Sequence, residues 1–410
     1  MISAEARPYI DASVPVLRQH GLTITRLFYQ NLFAEHPELN NLFNMGNQAN
    51  GSQQQSLASA VFAYAANIDN AAALAPVISR IVHKHVSLGI TASHYPIVGQ
   101  HLLQAIQHTL GDAATPPLLS AWAEAYGVLA QALINEEARL YRQSGTEPGD
   151  LFDMRVVAVQ EQSALVRSFT LERADGSALP GFVPGQYVSV AVTLPGGLRQ
   201  LRQYSLSDAP GKSHLRISVK REGAGAETPA GMVSNWLHDR LAVGSILPVS
   251  TPCGDFAPGA AGDAPVVLLS AGVGITPMIS ALNHIAAQTP QRRVIFAHAA
   301  RDIGHHAHRA DIARAREIMP NLLTLAFYED AGSGQDLENP ATDDVPEANP
   351  IAGLMNVDKL AAWSLADTHV YLCGPIKFMQ AQWLALIKRG VPPTRLHREV
   401  FGPDMLDHLL

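Results

Sequence analysis

Ser144-Gly145-Thr146-Glu147-Pro148-Gly149 is the stretch on which the fold is read. Glycine, proline and small polar residues make it a linker by composition. The hydrophobic period differs on its two sides. Upstream, Gln53, Leu57, Val61, Tyr64 and Ile68 recur every three or four residues, and Leu74, Ile78, Ile81 and His85 share another helical face. Leu102–Leu110 and Leu118–Tyr141 keep that period, with Pro116-Pro117 opening the last helix. No strand pattern precedes residue 150. Downstream, Val188, Val190, Val192 and Leu194 fall on one face of an alternating run, and Leu215, Ile217 and Val219 repeat it. Turn clusters such as Pro195-Gly196-Gly197 separate these runs, so a small antiparallel β-barrel or sandwich is expected. After about Ala264 the pattern changes again. Val266-Val267-Leu268-Leu269 is continuously apolar, as in a strand covered on both faces. Val294–Ala297 and Val370–Leu372 are similar, with helical stretches between them, which predicts a doubly wound parallel sheet. The expected organisation is an all-α domain over 1–143, a linker over 144–150, a β-barrel domain over 151–260 and an α/β domain over 261–410. Asp330–Pro350, acidic and rich in Gly, Asn and Pro, reads as an exposed loop.

Bulk properties narrow the function. A chain of 410 residues suits two to four domains of about 100–200 residues. The formal charge of −7, with no long basic run, argues against a nucleic-acid partner. Two cysteines, Cys253 and Cys373, provide no disulfide framework. Glu5, Arg7 and Asp11 stand where a signal peptide would be apolar, and the longest apolar run, Ala264–Leu269, is far short of the ~18 residues of a span. These features lead us to expect a cytoplasmic monomer with no stable membrane association.

Three groups of residues carry chemistry. In the helical third, His85 lies late in the fourth long segment, and a neutral imidazole fixed by a helix is a good iron ligand. One histidine among 17 is more often structural than ligating, so its neighbours matter. Tyr29 falls among Leu22, Phe28 and Leu32, where a phenol points into an apolar space or fills a core. Gln53 and Leu57 form an i, i+4 pair, and Phe43 can pack on a porphyrin face or plug the core. In the β region, Arg202-Gln203-Tyr204-Ser205 is a flavin-cradling signature. Arg202 can grip a pyrophosphate, and Tyr204, on the same strand face, can stack on the isoalloxazine. Ser205 faces the other way, toward a ring nitrogen, and Pro184-Gly185-Gln186-Tyr187 adds a second aromatic. In the last third, Ala271-Gly272-Val273-Gly274-Ile275-Thr276 follows a buried strand and opens a helix, a place for a dinucleotide phosphate. Cys373-Gly374-Pro375 ends another strand, and Glu399-Val400-Phe401-Gly402-Pro403 offers an aromatic and a carboxylate. Gly304-His305-His306-Ala307-His308 resembles a metal cluster only at first sight, because three histidines in four residues cannot converge on one ion from a helix.

Taken together, Phe28-Tyr29, Asn47-Gln48-Ala49-Asn50-Gly51, Lys84-His85, His94-Tyr95-Pro96-Ile97-Val98-Gly99, Ala125–Ala130 and Ile134-Asn135-Glu136-Glu137 resemble the globin domain of the flavohemoglobins over Met1–Tyr141. Phe152–Pro403 resembles the ferredoxin–NADP reductase superfamily, and the combined layout resembles flavohemoglobin. The resemblance implies His85 as the proximal ligand of heme b, with Tyr95 and Glu137, rather than Glu136, hydrogen-bonded behind it. It implies Tyr29 as donor to bound oxygen and Phe28, Phe43, Gln53, Leu57 and Lys84 around the distal side. It sets Phe401 against FAD, with Glu399 close enough to influence its potential, and NAD(P)H at the Gly272 and Cys373 loops. The activity implied is a nitric oxide dioxygenase that converts nitric oxide and O2 to nitrate. Rivals are a gas sensor or store with an auxiliary flavin reductase, and a flavin-centred reductase with accessory heme. Two local departures stand out: Ala230 where glycine is expected in Thr228-Pro229-Ala230-Gly231, and the lengthened Asp330–Pro350 loop.

Overall fold

The computed structural model describes residues 2–225, 229–259, 262–330, 350–360 and 367–403. The helical third consists of α1 (Arg7–Glu35), α2 (Met45–Ala49), α3 (Ser52–Ala66), α4 (Ala71–Leu88), α5 (His94–Leu110) and α6 (Pro116–Ser144). Helix α1 packs across α3 and α5, burying Ile10, Ile24, Phe28 and Leu32 against Leu102, Ile106 and Trp122. Two local signals fix α4, the helix that matters most below. The Asn70 side chain accepts from the Ala73 N–H at its start, and Gly89, in the left-handed region at φ 77°, stops it four residues after His85. Helix α6 likewise ends on Gly145 at φ 65°. The linker that follows lies against α4. A Cβ placed on Gly89 would stand 2.7 Å from Gly149 Cα, so both glycines serve a close backbone approach.

The second unit is antiparallel, with β1 (Phe152–Glu161), β2 (Val166–Arg173), β3 (Tyr187–Thr193), β4 (Arg199–Ser205), β5 (Leu215–Lys220), α7 (Met232–Arg240) and β6 (Ile246–Val249). Its strands run β4-β3-β6-β1-β2-β5, and an isolated bridge between Leu206 and Ile217 ties the end of β4 to β5. That bridge closes the sheet into a barrel around Val188, Val190, Phe169, Leu171 and Ile217.

The third unit is parallel. Its elements are β7 (Val266–Ala271), α8 (Ile275–Gln288), β8 (Val294–Ala300), α9 (Arg309–Ile318), β9 (Leu322–Tyr328), β10 (Ile351–Ala352), β11 (His369–Cys373), α10 (Ile376–Lys388) and β12 (Leu396–Glu399). The order β10-β9-β8-β7-β11-β12 reverses direction between β7 and β11, which is where open α/β sheets bind ligands. Every residue of β7 is buried, with α8 and α9 on one face and α10 on the other. Most of the Asp330–Pro350 loop, 331–349, and Thr228 of the 228–231 turn lie outside the described residues. No helix among the described residues is long and apolar enough to cross a membrane.

Candidate functional site

His85 occupies the last turn of α4. Its Nδ1 lies 2.7 Å from Glu137 Oε1 on α6 and 3.0 Å from the Tyr95 hydroxyl on α5. Tyr95 donates to the same Glu137 oxygen at 2.5 Å. Glu137 is 3% exposed, whereas Glu136 lies at the surface and accepts from Arg139. Consecutive helical residues differ by about 100° in direction, so only one of the two glutamates can face inward. Burial, then the hydrogen bond to the Glu137 carboxylate, push the Tyr95 phenol well above its ordinary range, so it stays a donor. A carboxylate at Nδ1 sets the neutral tautomer with its proton there and a lone pair on Nε2, which is the donor a metal needs. The inward sides of α3 and α4 present Leu57, Val61, Ile78 and Ile81 only partly covered. One imidazole donor beside half-covered apolar side chains is a donor set and lining suited to a flat, apolar iron macrocycle.

Tyr29 lies buried on α1, where that helix packs on α3. Burial raises its phenol to about 12, against a smaller opposite effect of the Gln53 amide, which donates to the hydroxyl at 3.4 Å. Tyr29 therefore keeps its own proton to donate. Phe43 meets the Tyr29 ring edge-on at 5.7 Å, Phe33 stacks on it at 5.7 Å, and Phe28 is fully in the core beside it. The structure thus brings Tyr29, Phe43, Gln53 and Leu57 together.

Contrary to the expectation that Lys84 lies with the distal residues, its side chain faces the other way, and its ammonium donates to Gln203 Oε1 on β4. The reason is helical geometry: with His85 directed inward, its predecessor must point elsewhere. Burial lowers the amine to about 8, partly countered by the Glu399 carboxylate. The sequence reading also missed His83 and Ser87. His83 Nδ1 accepts from the Gly254 N–H at 3.1 Å, and Ser87 hydrogen-bonds Tyr187. These polar positions, four apart on α4, were the available signal. Through them one helix touches the β-barrel with one side and carries His85 on another.

On β4, Arg202 and Tyr204 lie opposite Val190 and Val188 of β3, and Tyr187 lies opposite Ser205. Burial lowers the Arg202 guanidinium below its ordinary value, and it donates to the Leu201 carbonyl at 2.7 Å. No carboxylate among the described residues forms an ion pair with it. A half-buried cation so placed suits an anionic partner such as a pyrophosphate. Gln203 donates to Ser189 Oγ at 2.9 Å, Ser205 is buried, and burial raises the Tyr204 phenol while it packs on the barrel core.

At the carboxyl edge of the parallel sheet two loops meet. Gly272 takes φ 54° directly after Ala271, and α8 starts at Ile275 with Thr276 Oγ1 donating to the Val273 carbonyl at 3.0 Å. A Cβ on Gly274 would fall 2.4 Å from the Cys373 carbonyl oxygen, and one on Gly374 would crowd Phe378 and Ala271. The Gly272 and Cys373-Gly374-Pro375 loops are thus pressed together at the switch point, leaving the α8 N-terminus for a phosphate. Burial pushes the Cys373 thiol well up, with Glu399 beside it in register on β12. Val400 packs into the core, Phe401 is 46% exposed at the same edge, and Gly402 at φ 119° turns the chain toward Pro403. The clustered histidines do not converge. His305 pairs with Asp302, His306 with the Tyr328 hydroxyl and His308 with Asp311.

Comparison with known proteins matches this architecture part by part. Residues 26–133 match the globin family model, 153–257 the oxidoreductase FAD-binding domain and 268–383 the oxidoreductase NAD-binding domain. The chain is 48% identical over 411 residues to a flavohemoprotein of Bordetella parapertussis, spanning 98% of this chain and 99% of that protein. It is 45% identical over 410 residues to one of Rhizobium meliloti, spanning 99% of each. A solved flavohemoglobin from Malassezia yamatoensis, with bound FAD and heme, superposes with a TM-score of 0.85 at 28% identity, covering 98% of this chain and 100% of that one. The FAD/NAD-binding domain of a nitric oxide dioxygenase from Vibrio cholerae superposes with a TM-score of 0.55 at 36% identity, covering 62% of this chain and all of that one.

Proposed function

Because the chain belongs to the flavohemoprotein family, we propose that it is an NAD(P)H-dependent nitric oxide dioxygenase, converting nitric oxide and O2 to nitrate. His85 would hold heme b. Arg202, Gln203, Tyr204, Ser205, Tyr187 and the 399–403 segment would hold FAD, and the Gly272 and Cys373 loops NAD(P)H. When bound, the dinucleotide supplies electron pairs, the flavin divides them into single electrons, and the heme is where the two gases react.

The residues supply the rest. Glu137 accepts from His85 Nδ1 and from Tyr95, giving the imidazole anionic character that favours oxygen activation over storage. Tyr29 keeps its phenolic proton and presents it where negative charge develops, with the Gln53 amide fixing its oxygen. Phe43 and Leu57 add apolar surface beside the Tyr29 ring. Helix α4 joins the two chemistries, since His83, Lys84 and Ser87 contact the flavin barrel while His85 faces the globin interior. The observation that carries the reading is His85, held by the buried Glu137 and Tyr95, on a helix seated against the proposed flavin-binding strands. Two buried, free cysteines agree with a reducing cytoplasm as its compartment.

The test is nitric oxide consumption under air with NADH or NADPH. We expect rapid loss with the full chain and none with His85→Ala. Equal rates in the two proteins overturn the proposal.

A further inference from the structure

A second buried network, remote from His85, joins the other two units. His308 is fully buried between the 303–305 turn and α9. It is the one non-glycine residue with positive φ, at 63°, among the described residues. Its Nδ1 lies 3.0 Å from Asp311 Oδ2, and its Nε2 lies 3.0 Å from Ser218 Oγ on β5 of the barrel. Asp311, 3% exposed, also pairs with the half-buried Arg216 of the barrel at 3.1 Å. The acceptor at Nδ1 places the ring proton there, so Ser218 donates its hydroxyl to Nε2. Ser168 and Ser207 hydroxyls lie 2.8 Å from Ser218 Oγ.

The same network reaches both cofactor-bearing elements. Ser207 and Asp208 follow the Arg202–Ser205 strand after Leu206. Helix α8 grows directly from the Gly272 loop, and its Ser280 donates to the Asp208 carbonyl at 2.7 Å. Asn283, further along α8, donates to Asp208 Oδ1 at 3.0 Å and to Asp311 Oδ1 at 3.1 Å. Two domains of one chain rock against each other unless something prevents it. Apolar contacts resist separation but tolerate sliding, whereas buried hydrogen bonds fix an angle, since a small rotation leaves buried polar groups unpaired. A left-handed histidine costs about 1 kcal/mol and persists only where its surroundings over-determine it.

We propose that His308 is a positioning residue. Held between Asp311 and Ser218, it sets the angle at which the dinucleotide sheet faces the flavin barrel. It thereby sets the rate at which a hydride passes from NAD(P)H to FAD, oxidising the first and reducing the second. The claim rests on the function proposed above for that electron route. It concerns alignment and not dinucleotide affinity, because among the described residues none of the network's hydrogen bonds is made to the Gly272 loop or the Cys373 loop.

The experiment uses the full chain loaded with heme and FAD, mixed anaerobically with NADH and followed at the flavin band. His308→Gly keeps the left-handed backbone and deletes the ring; Ser218→Ala deletes one hydroxyl and is the milder variant. We expect each to lower the limiting rate of flavin reduction about tenfold, as for a small misalignment, with half-saturating NADH unchanged within about twofold. The double variant should be no slower than the slower single one, since both break one chain of bonds. An unchanged limiting rate, or a change in half-saturation alone, overturns the proposal. Amide exchange gives a readout independent of turnover. In either variant, exchange in β5 and in residues 304–311 should quicken together, and unchanged exchange in β5 refutes the cross-domain pin. If neither NADH nor NADPH reduces the wild-type flavin, the proposed function fails, and the exchange result still decides the pin.

Discussion

Replacing Glu137 by glutamine tests the arrangement around His85 at its centre. The side chain keeps its volume but exchanges a carboxylate for an amide. In the native arrangement one carboxylate oxygen receives two hydrogen bonds, from Tyr95 at 2.5 Å and from His85 Nδ1 at 2.7 Å. A hydrogen bond to a charged group contributes about 1.5–3 kcal/mol, and a neutral one about 1 kcal/mol. The amide oxygen can still accept from both donors, so each bond weakens rather than disappears, and the anionic pull on the imidazole goes. A net loss of about 2 kcal/mol in the preference for an electron-rich ligand corresponds, at 59 mV per tenfold for one electron, to a rise of roughly 90 mV in the heme potential. The assay is a potentiometric titration of the full chain, with the Soret band reporting heme and the flavin band as internal control. Heme content should be retained and the flavin potential unmoved. Nitric oxide turnover should fall about 10–100-fold, the usual effect of losing a group that orients a metal-bound histidine. A heme potential unchanged within about 15 mV, with heme retained, would refute the reasoning.

Other substitutions probe separate parts. Tyr29→Phe removes a buried donor and leaves the apolar box; heme and FAD content should stay constant while nitric oxide turnover drops about 10–100-fold, matching a charge-assisted bond of ~1.5–3 kcal/mol. Full turnover in that variant would show that the hydroxyl does not act on the reacting gas. Gly274→Ala drives a Cβ to 2.4 Å from the Cys373 carbonyl, a site that cannot yield without parting the two loops. We expect a loss of about 1–3 kcal/mol in denaturant melts and weakened NAD(P)H binding, with the heme spectrum unaltered; unaltered dinucleotide binding would place the cofactor elsewhere. Burial holds the Cys253 thiol up to about 12 and pushes the Cys373 thiol well above its ordinary value, so neither should react with a thiol reagent at pH 8 until the chain unfolds. The linked effect has a definite sign: these groups are neutral in both states below about 8.5, and above it only the unfolded chain ionises, so stability should decline as pH rises from about 8.5 toward 12. A melting temperature that rises across that window in the wild type, but not in Cys253→Ala, would contradict this.

Much of the fold is legible because it rests on side-chain period. The change at Ser144–Gly149 coincides with the end of α6 and the start of β1, and Val266–Leu269 is buried throughout, as a continuous apolar run demands. The choice between Glu136 and Glu137 depended on resemblance, because a helix shows only that one of them faces inward. Lys84 was expected on the distal side by resemblance alone; the helix already turns it away from an inward His85, and only its partner, Gln203 of the barrel, is a tertiary fact with no trace in the sequence. The Leu206–Ile217 bridge that closes the barrel, and the His308–Ser218 contact between residues 90 apart in sequence, leave no periodic trace. The histidine cluster at 304–308 looked like one feature in the sequence and is three, because the chain turns at Asp302 and again at His308 and sends each ring to a different partner.

On the proposed function, electrons enter at the parallel sheet and are consumed at the heme as nitric oxide and O2 become nitrate. A stoichiometry taken in a closed cell under air, with nitric oxide limiting and NADH or NADPH in excess, measures this. Each nitrate formed from nitric oxide and O2 requires one electron, and each dinucleotide supplies two. Two nitrates are therefore expected for every dinucleotide oxidised while nitric oxide lasts, with no more nitrite than forms without the protein. Dinucleotide oxidation that proceeds without nitrate, and at the same rate in His85→Ala, would contradict it.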